Sequence, residues 1–228
     1  MSGIVKISLG AAICVGVFLI SLPTLVHKAG LHPDYSGPTV DLPGKRALII
    51  TTSHGVLAPV GETEGDPTGV AASEMTHPYY TFLDSGMDVD LASIEGGQIP
   101  IDPMTINRVI RTAEDERFLS DSIARSKAKH SIPIAEVDIT AYDIVFISGG
   151  WGASYDLAQS PVLGEKVSDA YYGDKAAIIG GVCHGVLGLV NARATDGSLI
   201  VAGRRMTGVT DKQIKELGIE VTPMHPET

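Results

Sequence analysis

"AAIIGGVCHGVLGLV", residues 176–190, runs from a short apolar stretch through Gly180 and Gly181 into Cys183 and His184, and on into an apolar segment of helical character. If 176–182 form a strand and 185–192 open a helix, Cys183 occupies a sharp strand-to-helix turn, the geometry of a nucleophile elbow. Gly180, Gly181 and Gly185 fit that geometry, because a tight turn leaves little room for side chains. A helix N-terminus behind the sulfur is expected to lower its pKa and favour the thiolate, the nucleophilic form. The competing reading is a buried cysteine acting as a small hydrophobe. The polar His184 and the flanking glycines count against it.

Three further runs resemble the stretch before the elbow. "RALIITTS" (46–53), "DVDLASI" (88–94) and "YDIVFISGG" (142–150) are short, apolar and bounded by turn residues, as expected of strands buried on both faces. Segments of helical period lie between them: 73–86, with Ser73 as cap and Pro78 in the first turn or at a kink; 104–125; and 160–172. Strands alternating with helices predict an α/β domain with a mainly parallel sheet sandwiched by helices, its active site at the carboxyl ends of the strands. The Gly- and Pro-rich stretch 54–71 leaves the first strand at that edge, and loops of this length are commonly functional.

"ISGGWG" (147–152) closes another predicted strand. The amides of Gly149 and Gly150, beside that of His184, form a candidate oxyanion site, worth about 3 kcal/mol per donor in measured cases; an ordinary glycine turn is the alternative. Glu74 lies early on the helix after the long loop. It either complements the helix dipole or, held against Cys183, donates a hydrogen bond to the thiolate or exchanges a proton with it.

The 228 residues, 44% hydrophobic and 19% charged, suffice for one domain with a sizeable core. A formal charge of -10 and the absence of basic runs argue against nucleic acid as a partner. The two cysteines, Cys14 and Cys183, form neither a disulfide framework nor a CxxC pair, and no zinc-type spacing of His and Cys occurs, so no metal is expected. Residues 7–26, about twenty without formal charge, predict an uncleaved signal anchor, with a cleaved signal peptide as the alternative. Lysines on both sides leave the orientation open. On this reading 1–28 is the membrane or export segment, 29–44 a tether, and 45–228 the folded domain.

The elbow "GGVCHGVLGL", the strand end "ISGGWG" and "GVAASEMTHPYYTFLDSGMDVDLASIEGGQIPIDP" (69–103) together resemble the ThiJ/PfpI superfamily, with its flavodoxin-like, class I glutamine amidotransferase-like fold. The segments "HPYYTF", "LASIEGG" and "PIDP" are most similar to the stress-response chaperone and glyoxalase III-like branch, whose members convert methylglyoxal to lactate without glutathione. The resemblance implies Cys183 as nucleophile, His184 as proton shuttle, Glu74 as the carboxyl contacting the cysteine, and Gly149, Gly150 and Trp151 lining the pocket. It also implies an acidic partner for His184, for which Asp211 is preferred over Glu216, a small carbonyl substrate, no cofactor, and a homodimer as a common state. Trp151 stands where family members often have histidine, and Val186 where they have a small residue or proline, which bears on substrate choice. Family members usually continue for a few tens of residues beyond "EVTPMHPET", so a shortened C-terminal end is expected; His225 is read as a surface residue or as a neighbour of the pocket. Two other readings of the constellation are a PfpI-type cysteine amidohydrolase or peptidase and a non-catalytic stress protein whose Cys183 senses oxidants.

Overall fold

The computed structural model describes residues 2–30 and 36–223, with side chains of the first helix described from residue 13 onward. In chain order its elements are α1 (Ser2–Lys28), β1 (Arg46–Thr51), β2 (Val56–Leu57), β3 (Asp66–Pro67), α2 (Ala72–Asp84), β4 (Asp88–Ser93), α3 (Ala113–Ser120) and α4 (Ser122–Lys129). They continue with β5 (Ile132–Pro133), β6 (Ile144–Ile147), α5 (Ala153–Asp156), α6 (Pro161–Tyr172), β7 (Ile178–Gly181) and α7 (Asp211–Leu217).

Five strands form one sheet in the order β5-β4-β1-β6-β7, and every pairing within it is parallel. Alternation along β1 sends Leu48 and Ile50 to one core, with Val145, Ile147 and α6, and Ala47 and Ile49 to the other, with Val89, Leu91 and α2. Both faces of the inner strands are therefore covered, which is why they read as continuous apolar runs, whereas β7, also read as buried on both faces, lies at the sheet edge and leaves Ile178 exposed. From β1 the chain builds outward on one side to β4 and β5, then crosses to β6 and β7 on the other. That reversal opens a crevice beside the carboxyl ends of β1 and β6, the place where open α/β sheets bind ligands.

Local chemistry accounts for the departures from expectation. Residues 104–125 are not one helix: Thr112 forms a capping box with Asp115 to start α3, and Asp121 accepts from the amides of Ile123 and Ala124 to start α4. Such side chains offer the backbone a partner outside the helix and so divide it. The loop 54–71 folds partly into an antiparallel pair, Val56 opposite Pro67 and Leu57 opposite Asp66. Ser73 does not cap α2, which begins one residue earlier with no side-chain cap.

The expected membrane anchor is not upheld, nor is the location assigned from it. Among the described residues no helix is long and apolar enough to cross a membrane. The described side chains of α1 include Ser21, Pro23 and Thr24, and end in His27 and Lys28. In the expected tether, residues 31–35 lie outside the described set, as does His225. Its last part docks on the domain, the amide of Leu42 donating to the carbonyl of Ser85 at 2.7 Å.

Candidate active site

Cys183 follows β7 and has φ +54°, a left-handed conformation that a non-glycine residue rarely adopts. Val182 before it is fully extended, and the chain after it turns at once into a 3-10 helix, Cys183–Leu189. The reversal is tight enough that a Cβ on Gly185 would lie 2.1 Å from the carbonyl oxygen of Ile147. Glycine there lets the elbow press onto the end of β6. The strain at Cys183 projects its sulfur into the crevice, and Sγ lies 3.5 Å from Nδ1 of the buried His184.

Glu74 arrives from the far side on α2, and two features of the sequence hold it. Pro78 lies inside α2 and has no amide hydrogen, so the carbonyl four residues earlier, that of Glu74, lacks its helical donor. The buried Ser148 supplies one, its hydroxyl donating to the Glu74 carbonyl at 2.8 Å. The amide of Gly149 donates to Oε2 of the Glu74 carboxylate at 2.9 Å. A Cβ on Gly149 would lie 2.7 Å from that oxygen and 2.7 Å from the His184 nitrogen, so only glycine lets carboxyl and elbow share this space.

This geometry divides the expected oxyanion pair. Gly149 is committed to Glu74, whereas the amides of His184 and Gly150 face the sulfur and favour its charged form. Gly150 has φ +97°, and a Cβ there would meet the Ala71 nitrogen at 2.4 Å. Trp151 packs edge-on against the His184 ring, with centroids 5.6 Å apart.

Burial pushes the Cys183 thiol up to about 11, the Glu74 charge adds to that rise, and the amides of His184 and Gly150 oppose it. Burial likewise raises Glu74, against the hydrogen bonds from Cys183 and Gly149. The expected lowering of the thiol by a helix N-terminus is thus reversed. Only a short 3-10 helix stands behind the sulfur, and desolvation beside a carboxylate outweighs it. Glu74 and Cys183 face each other closely enough to shift one another's titration, which places the carboxyl to take the thiol proton.

A cavity of about 330 Å³ opens over these groups, lined by Glu74, Gly150, Trp151 and Cys183 together with Thr105 and Ile110. Asp102 also lines it, accepting from the Thr68 hydroxyl at 2.9 Å and the Met104 amide at 2.8 Å. The model of the DJ-1/PfpI family matches residues 67–222, a span that contains the elbow, the strand-end glycines and Glu74.

The chain belongs to the DJ-1/PfpI family. The glutathione-independent glyoxalase HSP31 of Saccharomyces cerevisiae is 29% identical, over 77% of this chain and 73% of its own length. Among solved structures, the Rapid Encystment Protein 24 kDa of Francisella tularensis superposes with a TM-score of 0.72 at 33% identity, covering 80% of this chain and 78% of that one. Glyoxalase III of Candida albicans superposes with a TM-score of 0.67 at 26% identity, covering 77% and 72%.

Of the residues singled out in this DJ-1/PfpI chain, Cys183, His184, Glu74, Gly149, Gly150 and Trp151 converge at one crevice. Asp211 is placed elsewhere. It is exposed in the first turn of α7, where Thr210 caps the helix, and it lines neither cavity at Cys183. Glu216 is also exposed, 3.6 Å from Lys212. Ser148 was not singled out, although Pro78 four residues after Glu74 signals a carbonyl in need of a donor.

Proposed function

We propose that this protein is a glutathione-independent glyoxalase that converts methylglyoxal to lactate at Cys183. The observation carrying the reading is a strained cysteine facing a half-buried carboxyl, with two backbone amides directed at the same sulfur. The relationship to glyoxalases of two yeasts supports it.

Sγ attacks the aldehyde carbon as Glu74 takes the thiol proton, forming a C–S bond. The carbonyl electron pair moves onto oxygen, where the amides of Gly150 and His184 supply hydrogen bonds. Those amides are donors fixed before the reaction, so no reorganisation is needed as charge develops. The His184 ring, 3.5 Å from the sulfur, then moves a proton from the former aldehyde carbon to the neighbouring carbon through an enediol. The first carbon is oxidised to a thioester and the second reduced to an alcohol, whose oxygen takes the proton held by Glu74, so no outside oxidant is required. Water hydrolyses the thioester, releasing lactate and restoring the thiol. Burial suits Glu74 to its task, because a carboxyl raised from the usual range is a better match to a proton acceptor working near neutral pH.

The test is incubation of the purified chain with methylglyoxal, with lactate as the readout and Cys183→Ala alongside. Lactate is expected from the wild type alone. Equal lactate from both proteins, or none from either, overturns the reading.

A further inference from the structure

Cys183 is shared by two cavities. Beyond the one over Glu74, a larger one of about 640 Å³ runs along the opposite side of the elbow, between the 3-10 helix and residues 199–209. A three-carbon dicarbonyl occupies a small part of such a volume, which falls in the range of pockets for much larger small molecules.

Its lining is apolar along its length, with Val186, Leu187, Val190, Leu199 and Val201, and basic at Arg204 and Arg205. Among the described residues no carboxylate lines it, in a chain whose formal charge is -10. Arg204 is held in place. Its Nε donates to the Ile200 carbonyl at 2.8 Å, an Nη donates to the Tyr171 hydroxyl at 2.7 Å, and the guanidinium lies over the Tyr171 ring at 5.2 Å. A cation fixed before a ligand arrives loses little freedom on binding one. Gly208 faces Val186 so closely that a Cβ there would stand 3.0 Å from Cγ2, and its absence lets the 199–209 segment close the wall.

We propose that this second cavity is a subsite for the tail of a larger α-oxoaldehyde, an aliphatic chain ending in a carboxylate, whose aldehyde reaches Cys183 while the carboxylate pairs with Arg204 and Arg205. The inference rests on the glyoxalase reading for its chemistry and on the cavity alone for its binding. The reaction is the one already written, and its product is an α-hydroxy acid with a second carboxylate.

Two measurements separate the inference from the reading beneath it. In the first, calorimetry follows decanoate and decylammonium binding to full-length Cys183→Ala. Decanoate is expected to bind at least tenfold tighter, and Leu199→Trp, which fills the cavity, and Arg205→Ala are each expected to remove most of that difference. In the second, wild-type kcat/KM is compared for methylglyoxal, hexylglyoxal and ω-carboxyhexylglyoxal. The carboxylated substrate is expected to exceed methylglyoxal by tenfold or more, a preference that both variants bring toward unity. Methylglyoxal turnover without any preference for the tailed substrate overturns the inference and leaves the glyoxalase reading standing. Selective decanoate binding with no turnover of any glyoxal sinks the glyoxalase reading and supports the subsite. Equal binding of decanoate and decylammonium overturns the subsite whatever the activity.

Discussion

Replacing Glu74 by glutamine separates its two effects on Cys183. The amide keeps the size of the side chain and an oxygen to accept from Gly149, but it carries no charge and cannot take a proton from the thiol. In the wild type the thiol is held at about 11 against an ordinary 9.0. At about 1.4 kcal/mol per unit, that disfavours the thiolate by about 3 kcal/mol. Burial is the larger cause and the Glu74 charge the next, while the amides of His184 and Gly150 act in the opposite sense. Glu74→Gln removes the charge and leaves the burial, so the thiol should titrate lower, toward its ordinary value. Turnover should move the other way, because the group that takes the thiol proton is gone; general-base losses of this kind run from about 10²-fold to 10⁴-fold. The assays are the pH dependence of iodoacetamide alkylation at Cys183 and kcat for methylglyoxal. Faster alkylation at pH 9 together with slower turnover is the expected pair. Turnover within twofold of wild type, or an alkylation midpoint that rises, would refute the assignment of Glu74 as proton acceptor.

Ser148→Ala should leave the Glu74 carbonyl without its donor at a buried site, costing about 1–3 kcal/mol of stability; a threonine that restores the hydroxyl should recover part of kcat, and if alanine matches wild type in kcat, Ser148 does not position Glu74. Gly185→Ala forces a Cβ to 2.1 Å from the Ile147 carbonyl, whereas Gly181→Ala places one at an ordinary 3.4 Å from the same atom. Thermal melts should show a large loss of Tm for the first and a small one for the second, and equal losses would contradict the elbow packing. Asp156 is raised by burial to about 6 from 3.8, against hydrogen bonds led by the Ser53 amide, which donates to it at 2.7 Å. Between those two values the unfolded chain has released this proton and the folded one has kept it, so stability falls as pH rises through the window, by about 3 kcal/mol for this group. In Asp156→Asn that fall should disappear from urea unfolding free energies compared at pH 3.5 and pH 7, and an unchanged difference counts against the buried carboxyl as its source. Asp211→Asn, at an exposed helix tip, should leave kcat/KM within about twofold and cost less than about 1 kcal/mol; a loss of an order of magnitude would return it to the site.

Much of this molecule was legible because the causes are local. Apolar runs with helices between them specify a parallel sheet covered at its inner strands, since a strand buried on both faces has no polar side to display; the run of β7 reads the same way, but its place at the edge leaves Ile178 exposed. Cys183 with Gly185 two residues on announces a turn that only small neighbours permit, and the structure places that turn against the end of β6. Caps at Thr112 and Asp121 were also local, but an apolar period across 104–125 masked them. The anchor expected over residues 7–26 is not upheld, since among the described residues no helix is long and apolar enough to cross a membrane.

What the tertiary structure alone decided is the allocation of protons and amides. Glu74, Gly149 and Cys183 belong to three elements far apart in sequence, and their encounter depends on how α2, β6 and β7 meet at one edge of the sheet. From the sequence, Gly149 and Gly150 were equivalent donors. In the fold one amide is taken by the Glu74 carboxylate and the other faces the sulfur, because Gly150 is in the left-handed region and turns its amide toward the elbow. The same packing buries thiol and carboxylate together, and desolvation then reverses the expected direction of the cysteine's titration. Residue type and spacing along the chain name the groups capable of the chemistry. The dielectric around them, and which donor faces which acceptor, exist only once the layers have closed.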